Sequence, residues 1–278
     1  MDGGGSVRSP PVRDTFFATP ATRGDAEWFT PTDFARGPWD PDASHGGPPT
    51  ALLVRALERV VPAMRLVRVT VDLARPVPMA GFGVTAELTK SGRTACTARA
   101  QLVDADGVVR AAATGLYLAP TEPPLFERSL DNADFRPPRL ADAVPGDFPV
   151  STPRHDLPGF RNAIEVRYPP DFAPGPGAST LWMRTIALLP GEEPSPFQRI
   201  CPLADCGNAF SRHADPEQMG FLNPDLTIAL HRQPVGDWLG MRATSQWQPS
   251  GIGLVTSTLF DDTGLVGTAL QTVLVRPR

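Results

Sequence analysis

His45-Gly46-Gly47-Pro48-Pro49-Thr50-Ala51-Leu52-Leu53-Val54-Arg55-Ala56-Leu57-Glu58-Arg59-Val60-Val61-Pro62 is the stretch whose reading decides the fold. Pro48 and Pro49 suit a first helical turn, where a missing N–H leaves no bond unmade. Leu52, Leu53, Ala56, Leu57 and Val60 then recur at helical spacing, which predicts a helix over Thr50 to Val61 with one buried face, ended by Pro62. Four strand-like runs follow. Leu66, Arg68, Thr70 and Asp72 alternate with Val67, Val69, Val71 and Leu73, and Phe82 to Leu88, Ala95 to Val103 and Val109 to Leu118 complete an antiparallel meander. Gly92-Arg93 and Asp106-Gly107 supply its turns.

The same order of elements returns further on. Strands are expected at Ile164 to Tyr168 and Ser179 to Leu188, a helix over 203–214 opened by Asp205-Cys206-Gly207-Asn208, and strands at Leu226 to Leu230, Trp238 to Trp247, Gly253 to Phe260 and Gly267 to Val275. Asp262-Thr263-Gly264 marks a hairpin turn. Two sheets, each wrapped on its own helix, can pair edge to edge and leave a lined tunnel between them. Only the second helix start carries a carboxylate, Asp205, which predicts one reaction centre per chain. In an entry segment, 15–44, Phe16 and Phe17 predict the beginning of an edge strand. Between the units, 119–160 is dense in Pro, Asp and Arg and predicts a linker ordered in part by Phe126 and Phe135.

Composition narrows the classes. The chain has 278 residues, 41% hydrophobic and 20% charged, enough for one large domain or two. A net charge of -4 and a pI near 5.6 argue against a nucleic-acid surface. Lys90 is the only lysine, so the positive charge is nearly all arginine; a guanidinium grips phosphate or carboxylate through a fork, and biased coding composition explains the excess equally well. Cys96, Cys201 and Cys206 are an odd set without CxxC spacing, and His155 and His213 lack partners at metal-ligand spacing, so neither a disulfide framework nor a metal is expected. Met1-Asp2-Gly3-Gly4-Gly5 reads as a short disordered arm without an apolar leader core, and no apolar run reaches the roughly 18 residues of a membrane span. A soluble cytoplasmic protein is the expectation.

At this point several motifs resemble the double-hotdog acyl-CoA thioesterases of the thioesterase II type. His45-Gly46-Gly47 and Arg75-Pro76-Val77-Pro78 in the first half, and Asp205, Leu230-His231-Arg232, Asp237-Trp238-Leu239 and Leu270-Gln271 with Arg276 in the second, are similar in order and spacing over residues 15–278. The resemblance implies an α+β fold with two fused hotdog units, 15–118 and 161–278 around the 119–160 linker, and hydrolysis of acyl-CoA by water without a covalent intermediate. It also implies no cofactor beyond the coenzyme A of the substrate, and pairing of whole chains into a homo-oligomer. That family holds the water with an Asp, a Ser or Thr, and a Gln; these carry over to Asp205, Asn223 and Gln271. Asn223 departs from the hydroxyl pattern, and Thr227 is the second candidate for that place.

Each residue also has a plainer reading. Asp205 could be a helix N-cap. Gln271 could face solvent from its strand, and Asn223 before Pro224 could simply form a turn. Gly46 and Gly47 could lend N–H groups to a thioester oxygen or a phosphate, or merely allow helix and sheet to approach. His45 more often caps or packs than acts as a base, and Trp39, Trp182, Trp238 and Trp247 serve a core as readily as an acyl tunnel. Arg75 and Arg93 are candidates for the coenzyme A phosphates. No GxSxG elbow occurs, which argues against a serine hydrolase. Two alternatives stay open: a hotdog dehydratase or hydratase with His45 as base, which needs a carboxylate opposite it where the first helix offers only Glu58, and an acyl-binding protein without catalysis.

Overall fold

The computed structural model describes residues 14–24, 26–126, 135–149, 155–170 and 176–277; the Met1–Gly5 arm lies outside them. In chain order the elements are β1 (Ala21–Arg23), β2 (Ala26–Phe29), α1 (Gly47–Val60), β3 (Arg65–Asp72), β4 (Phe82–Lys90), β5 (Ala95–Val103) and β6 (Val109–Leu118). The second half adds β7 (Val144–Gly146), β8 (Ile164–Tyr168), β9 (Ala178–Thr185), α2 (Pro196–Ala204), α3 (Gly207–Phe210), β10 (Met219–Leu222), β11 (Asp225–Leu230), β12 (Leu239–Trp247), β13 (Ile252–Asp261) and β14 (Gly264–Pro277). All strands join one antiparallel sheet in the order β1-β2-β4-β5-β6-β3-β11-β14-β13-β12-β9-β8-β7, with β10 pairing β14 off this path.

The expected seam between the halves is the β3–β11 ladder, where Val69 pairs Ile228 and Val71 pairs Leu226, all four buried. α1 packs on β3 to β6 and α2 with α3 on β9 and β12 to β14, while α1 and α2 also lie against each other. Alternation on β3 holds only from Arg68 onward: a bulge between Leu66 and Arg68 turns Leu66 inward, onto the same face as Val69 and Val71.

Three expectations need correction. The second helix is not a single element over 203–214. Ser195 caps α2 by accepting from the Gln198 N–H (3.1 Å), Pro196 follows within the first turn, and the chain breaks at Asp205 before the single turn of α3. Phe16 and Phe17 are buried but form no strand, donating singly to the Ala187 and Leu188 carbonyls while the Phe16 carbonyl accepts from the Thr32 N–H; the strands of that edge are β1 and β2. Within 119–160, Phe135 packs edge-on against Phe260, whereas Phe126 is 64% exposed. The same stretch supplies β7, the last strand of the sheet.

α1 meets α2 through close backbone approach and buried polar pairs. A Cβ on Gly47 would lie 2.7 Å from Pro202 Cα, so only glycine lets α1 start there. Arg55 bridges Glu27 and Glu192, and Glu58 accepts from Ser195 Oγ (2.8 Å) and Gln198 Nε2 (2.6 Å). These bonds hold the last turns of α1 against the start of α2, and the Gly47–Pro202 approach brings the N-terminus of α1 to the end of α2, which is where the site lies. Among the described residues no helix is long and apolar enough to cross a membrane.

Candidate active site

Asp205 is the C-terminal cap residue of α2, not the start of a helix, and its side chain is 3% exposed. A carboxylate at that end faces the negative pole of its own helix, so helix capping gives no reason for it. Its partners come from three other places. Asn223, in the β10–β11 turn, donates from Nδ2 to Oδ1 (2.7 Å). Gln271, on the inner face of β14 and 1% exposed, donates from Nε2 to Oδ1 and to the Asp205 carbonyl (3.0 Å each). His45, just before α1, brings Nδ1 to 3.2 Å from Oδ2. The Gly47 N–H faces this pair, at 3.2 Å from His45 Nδ1. Asp205, Asn223 and Gln271, far apart in sequence, thus converge on one carboxyl group, and Gln271 does not face solvent.

Burial dominates the electrostatics. It lifts the Asp205 carboxyl from 3.8 to about 7, although hydrogen bonds from Asn223, Gln271 and Gly47 pull the other way. Burial likewise takes His45 from 6.5 down to about 3, its ring stacked 3.8 Å from Phe160. A carboxyl that keeps its proton almost to neutrality therefore touches an imidazole that refuses one. The carboxyl alone is thereby poised for proton transfer near pH 7.

Asp205, Asn223, His45, Gly46 and Arg75 line a cavity of about 510 Å³. Trp39, Phe148, Phe160 and Phe221 make its walls largely apolar, as suits a site that shelters a greasy group beside a few convergent polar ones. Gly46 has no room for a side chain: a Cβ would stand 2.8 Å from Leu73 Cδ1 and 3.0 Å from Asp205 Oδ2. Pro48 and Pro49 carry no N–H and Thr50 donates to Gly46 O, so among the described residues the Gly46 N–H is the unspent donor at the positive end of α1.

Other predicted residues fall elsewhere. Thr227 sits in the seam, its hydroxyl 3.1 Å from Thr70 Oγ1, and does not line the cavity. Arg93 lies exposed in the β4–β5 turn, also away from it. Of the tryptophans, only Trp39 reaches the cavity; Trp182 packs on Phe260, Trp238 takes the guanidinium of Arg167, and Trp247 packs on Phe221. Glu58 is turned toward Ser195 and Gln198, so the carboxylate opposite His45 is Asp205, from the other half of the chain. The sequence reading missed Asn208, whose backbone N–H donates to Gln271 Oε1 (3.1 Å) and whose Nδ2 donates to Asn223 Oδ1 (3.0 Å). It also missed Phe160. An amide inside the apolar run after Asp205 was the available signal for the first; the second had none.

Comparison with known proteins bears on the family and the fold. Residues 35–118 match the family model for the acyl-CoA thioesterase N-terminal domain, and residues 137–275 the model for its C-terminal domain. A search of curated proteins gave no match. Among solved structures, a protein described as a candidate thioesterase II from Thermobifida fusca superposes with a TM-score of 0.71 at 18% identity, covering 96% of this chain and 99% of that one. A hot dog fold protein of unknown function from Alicyclobacillus acidocaldarius gives 0.71 at 17% identity over 93% and 96%. An acyl-CoA thioesterase II from Mycobacterium marinum gives 0.61 at 20% identity over 92% and 93%. At these identities the likeness is one of fold.

Proposed function

The chain belongs to the acyl-CoA thioesterase family, and on that premise we propose that it hydrolyses an acyl-CoA thioester to free acid and coenzyme A with one activated water. We read its halves, 15–118 and 161–278, as two fused hotdog units, with β7 joining the second from within 119–160. The observation that carries the reaction is Asp205: a buried carboxyl, lifted to about 7, clamped by Asn223 and Gln271 and open to an apolar cavity. Above that pH it accepts a proton from water as the oxygen adds to the thioester carbonyl. The Gly46 N–H, at the positive end of α1, donates to the oxyanion that develops. Collapse of the adduct expels the thiolate, which recovers the proton from Asp205. His45 keeps Asp205 in place, and Arg75 at the cavity mouth meets the coenzyme A phosphates.

The test is free-thiol release from a panel of acyl-CoA thioesters of different chain lengths. Turnover of at least one supports the reading; none, from folded protein, refutes it. One contact favours a second reading: His45 Nδ1 at 3.2 Å from Asp205 is also the pairing that a hydratase base would use. Hydration of an enoyl-CoA without thiol release would single it out. We also expect the chains to associate, since Leu222, Leu274 and Ile252 lie on successive strands opposite one another and expose an apolar patch. Light scattering that finds monomer alone at micromolar concentration refutes that.

A further inference from the structure

The hydrogen-bond capacity of the cluster can be counted donor by donor. Gln271 Nε2 has two hydrogens, and both point at Asp205, one at Oδ1 and one at the carbonyl. Asn223 Nδ2 has two as well, given to Asp205 Oδ1 and to the Asp225 carbonyl (3.2 Å). Neither amide retains an N–H for a water or a substrate. Gln271 moreover stands behind Asp205 and does not line the cavity. These two residues are therefore positioning residues, which hold the carboxylate rather than the nucleophile.

Asn208 differs. It is 9% exposed and lines the cavity beside Asp205 and Asn223. One Nδ2 hydrogen goes to Asn223 Oδ1, which fixes the amide's orientation; the second hydrogen and the whole of Oδ1 have no partner among the described residues. Oδ1 is also absent from the side-chain atoms that are both occluded and unpaired. An attacking water needs two acceptors for its hydrogens, so that a lone pair is left to face the carbonyl. On the carboxylate, Oδ1 is taken twice by amide donors, while Oδ2, which faces His45 Nδ1 and the Gly47 N–H, keeps a second lone pair for a further donor.

We infer that Asn208 is a catalytic residue that holds the nucleophilic water: one O–H is donated to Asp205 Oδ2 and the other to Asn208 Oδ1. This rests on the hydrolase reading for its chemistry, though not for its geometry. In the reaction the hydrogen facing Asp205 moves to the carboxylate, the O–C bond forms and the C–S bond breaks. The hydrogen on Asn208 remains with the new carboxylic acid, and the thiolate takes the proton from Asp205.

Two measurements on the full chain test it. A crystal structure that resolves waters is expected to show one within about 3 Å of both Asp205 Oδ2 and Asn208 Oδ1. A vacant position, or a water on Asp205 that does not touch Asn208, overturns the inference. In kinetics, Asn208→Leu is expected to lower kcat about 10–100-fold, the cost of a misplaced nucleophile, with KM within about 3-fold. The acid limb of the pH profile stays where Asp205 sets it. If that limb moves, Asn208 acts on the clamp and not on the water; a wild-type kcat is equally fatal. Asn208→Ser serves should the leucine variant not fold, with the same expected direction. A wild-type protein that shows the water but hydrolyses no thioester would refute the thioesterase reading and leave the water site standing.

Discussion

Replacing Asp205 by Asn should make the protein more stable and nearly inactive at once. The carboxyl is raised from 3.8 to about 7 by burial, so in neutral and alkaline solution the folded state carries a charge that the unfolded chain would hold more cheaply. A rise of that size corresponds to about 4 kcal/mol at about 1.4 kcal/mol per pH unit. The sign follows from linkage: the folded state holds the proton more tightly, so stability falls as pH rises from about 4 to about 7, and the full loss is present above that. Asparagine has the same shape and no charge. Its carbonyl oxygen can take the place of Oδ1 under the Asn223 and Gln271 donors, and its amide can face His45 Nδ1. At pH 8 the variant should therefore gain up to about 4 kcal/mol, or about 7 °C in Tm for a chain of this length. At pH 4 the gain should shrink to about 1 °C. Loss of the base should at the same time cost about 10²–10⁴ in kcat. Thermal unfolding at the two pH values, paired with thiol-release assays, reads both. Unchanged Tm at pH 8 together with near-normal turnover would show that the carboxyl is neither strained by burial nor used.

Other outcomes follow from the same geometry. The rate kcat/KM should climb about tenfold per pH unit below about 7 and level off above it, as Asp205 loses its proton; a flat profile between about pH 5 and 9 excludes Asp205 as base. Arg75→Ala should raise KM for acyl-CoA about 2–5-fold, the scale of an exposed ion pair, and leave N-acetylcysteamine thioesters unaffected; equal effects on both would remove Arg75 from phosphate binding. Gly47→Ala puts a Cβ 2.7 Å from Pro202 Cα and 2.8 Å from its carbonyl oxygen, backbone atoms that cannot swing aside. It should cost about 1–3 kcal/mol in denaturant unfolding, the range for overpacking, and an unaltered midpoint would mean that α1 slides freely on α2.

The strands were the legible part of this sequence. β5, β6 and β8 have the bounds that the sequence predicts; for β5 the turns Gly92-Arg93 and Asp106-Gly107 on either side leave little choice of ends. The second helix was not. It begins at Pro196, whose missing N–H is harmless in a first turn, and it contains Pro202, on which Gly47 docks, so its prolines hide it from a search for uninterrupted helical spacing. The convergence of Asp205, Asn223 and Gln271 came from likeness to a family, since no local spacing joins a helix end, a turn before Pro224 and the middle of β14. The contact of His45 with Asp205 depends on two helices from opposite halves meeting, which no window along the chain can display. The four-residue β10 was missed because a strand so short has no period to read.

The seam between β3 and β11 conceals a hazard. The open ends of the continuous sheet are β1 and β7, three residues each, and β7 carries Pro145, which cannot donate to a neighbour. Strands so short and so interrupted make poor templates for stray chains. A polypeptide released after β6 would be in another condition, with the eight-residue, valine-bearing β3 left as a bare border. Until β11 arrives, more than a hundred residues later, that border is open to any strand that comes near, including β3 of a second nascent copy. Each half thus serves as the shield of the other, and a break in the chain between them should yield aggregate before it yields two small proteins.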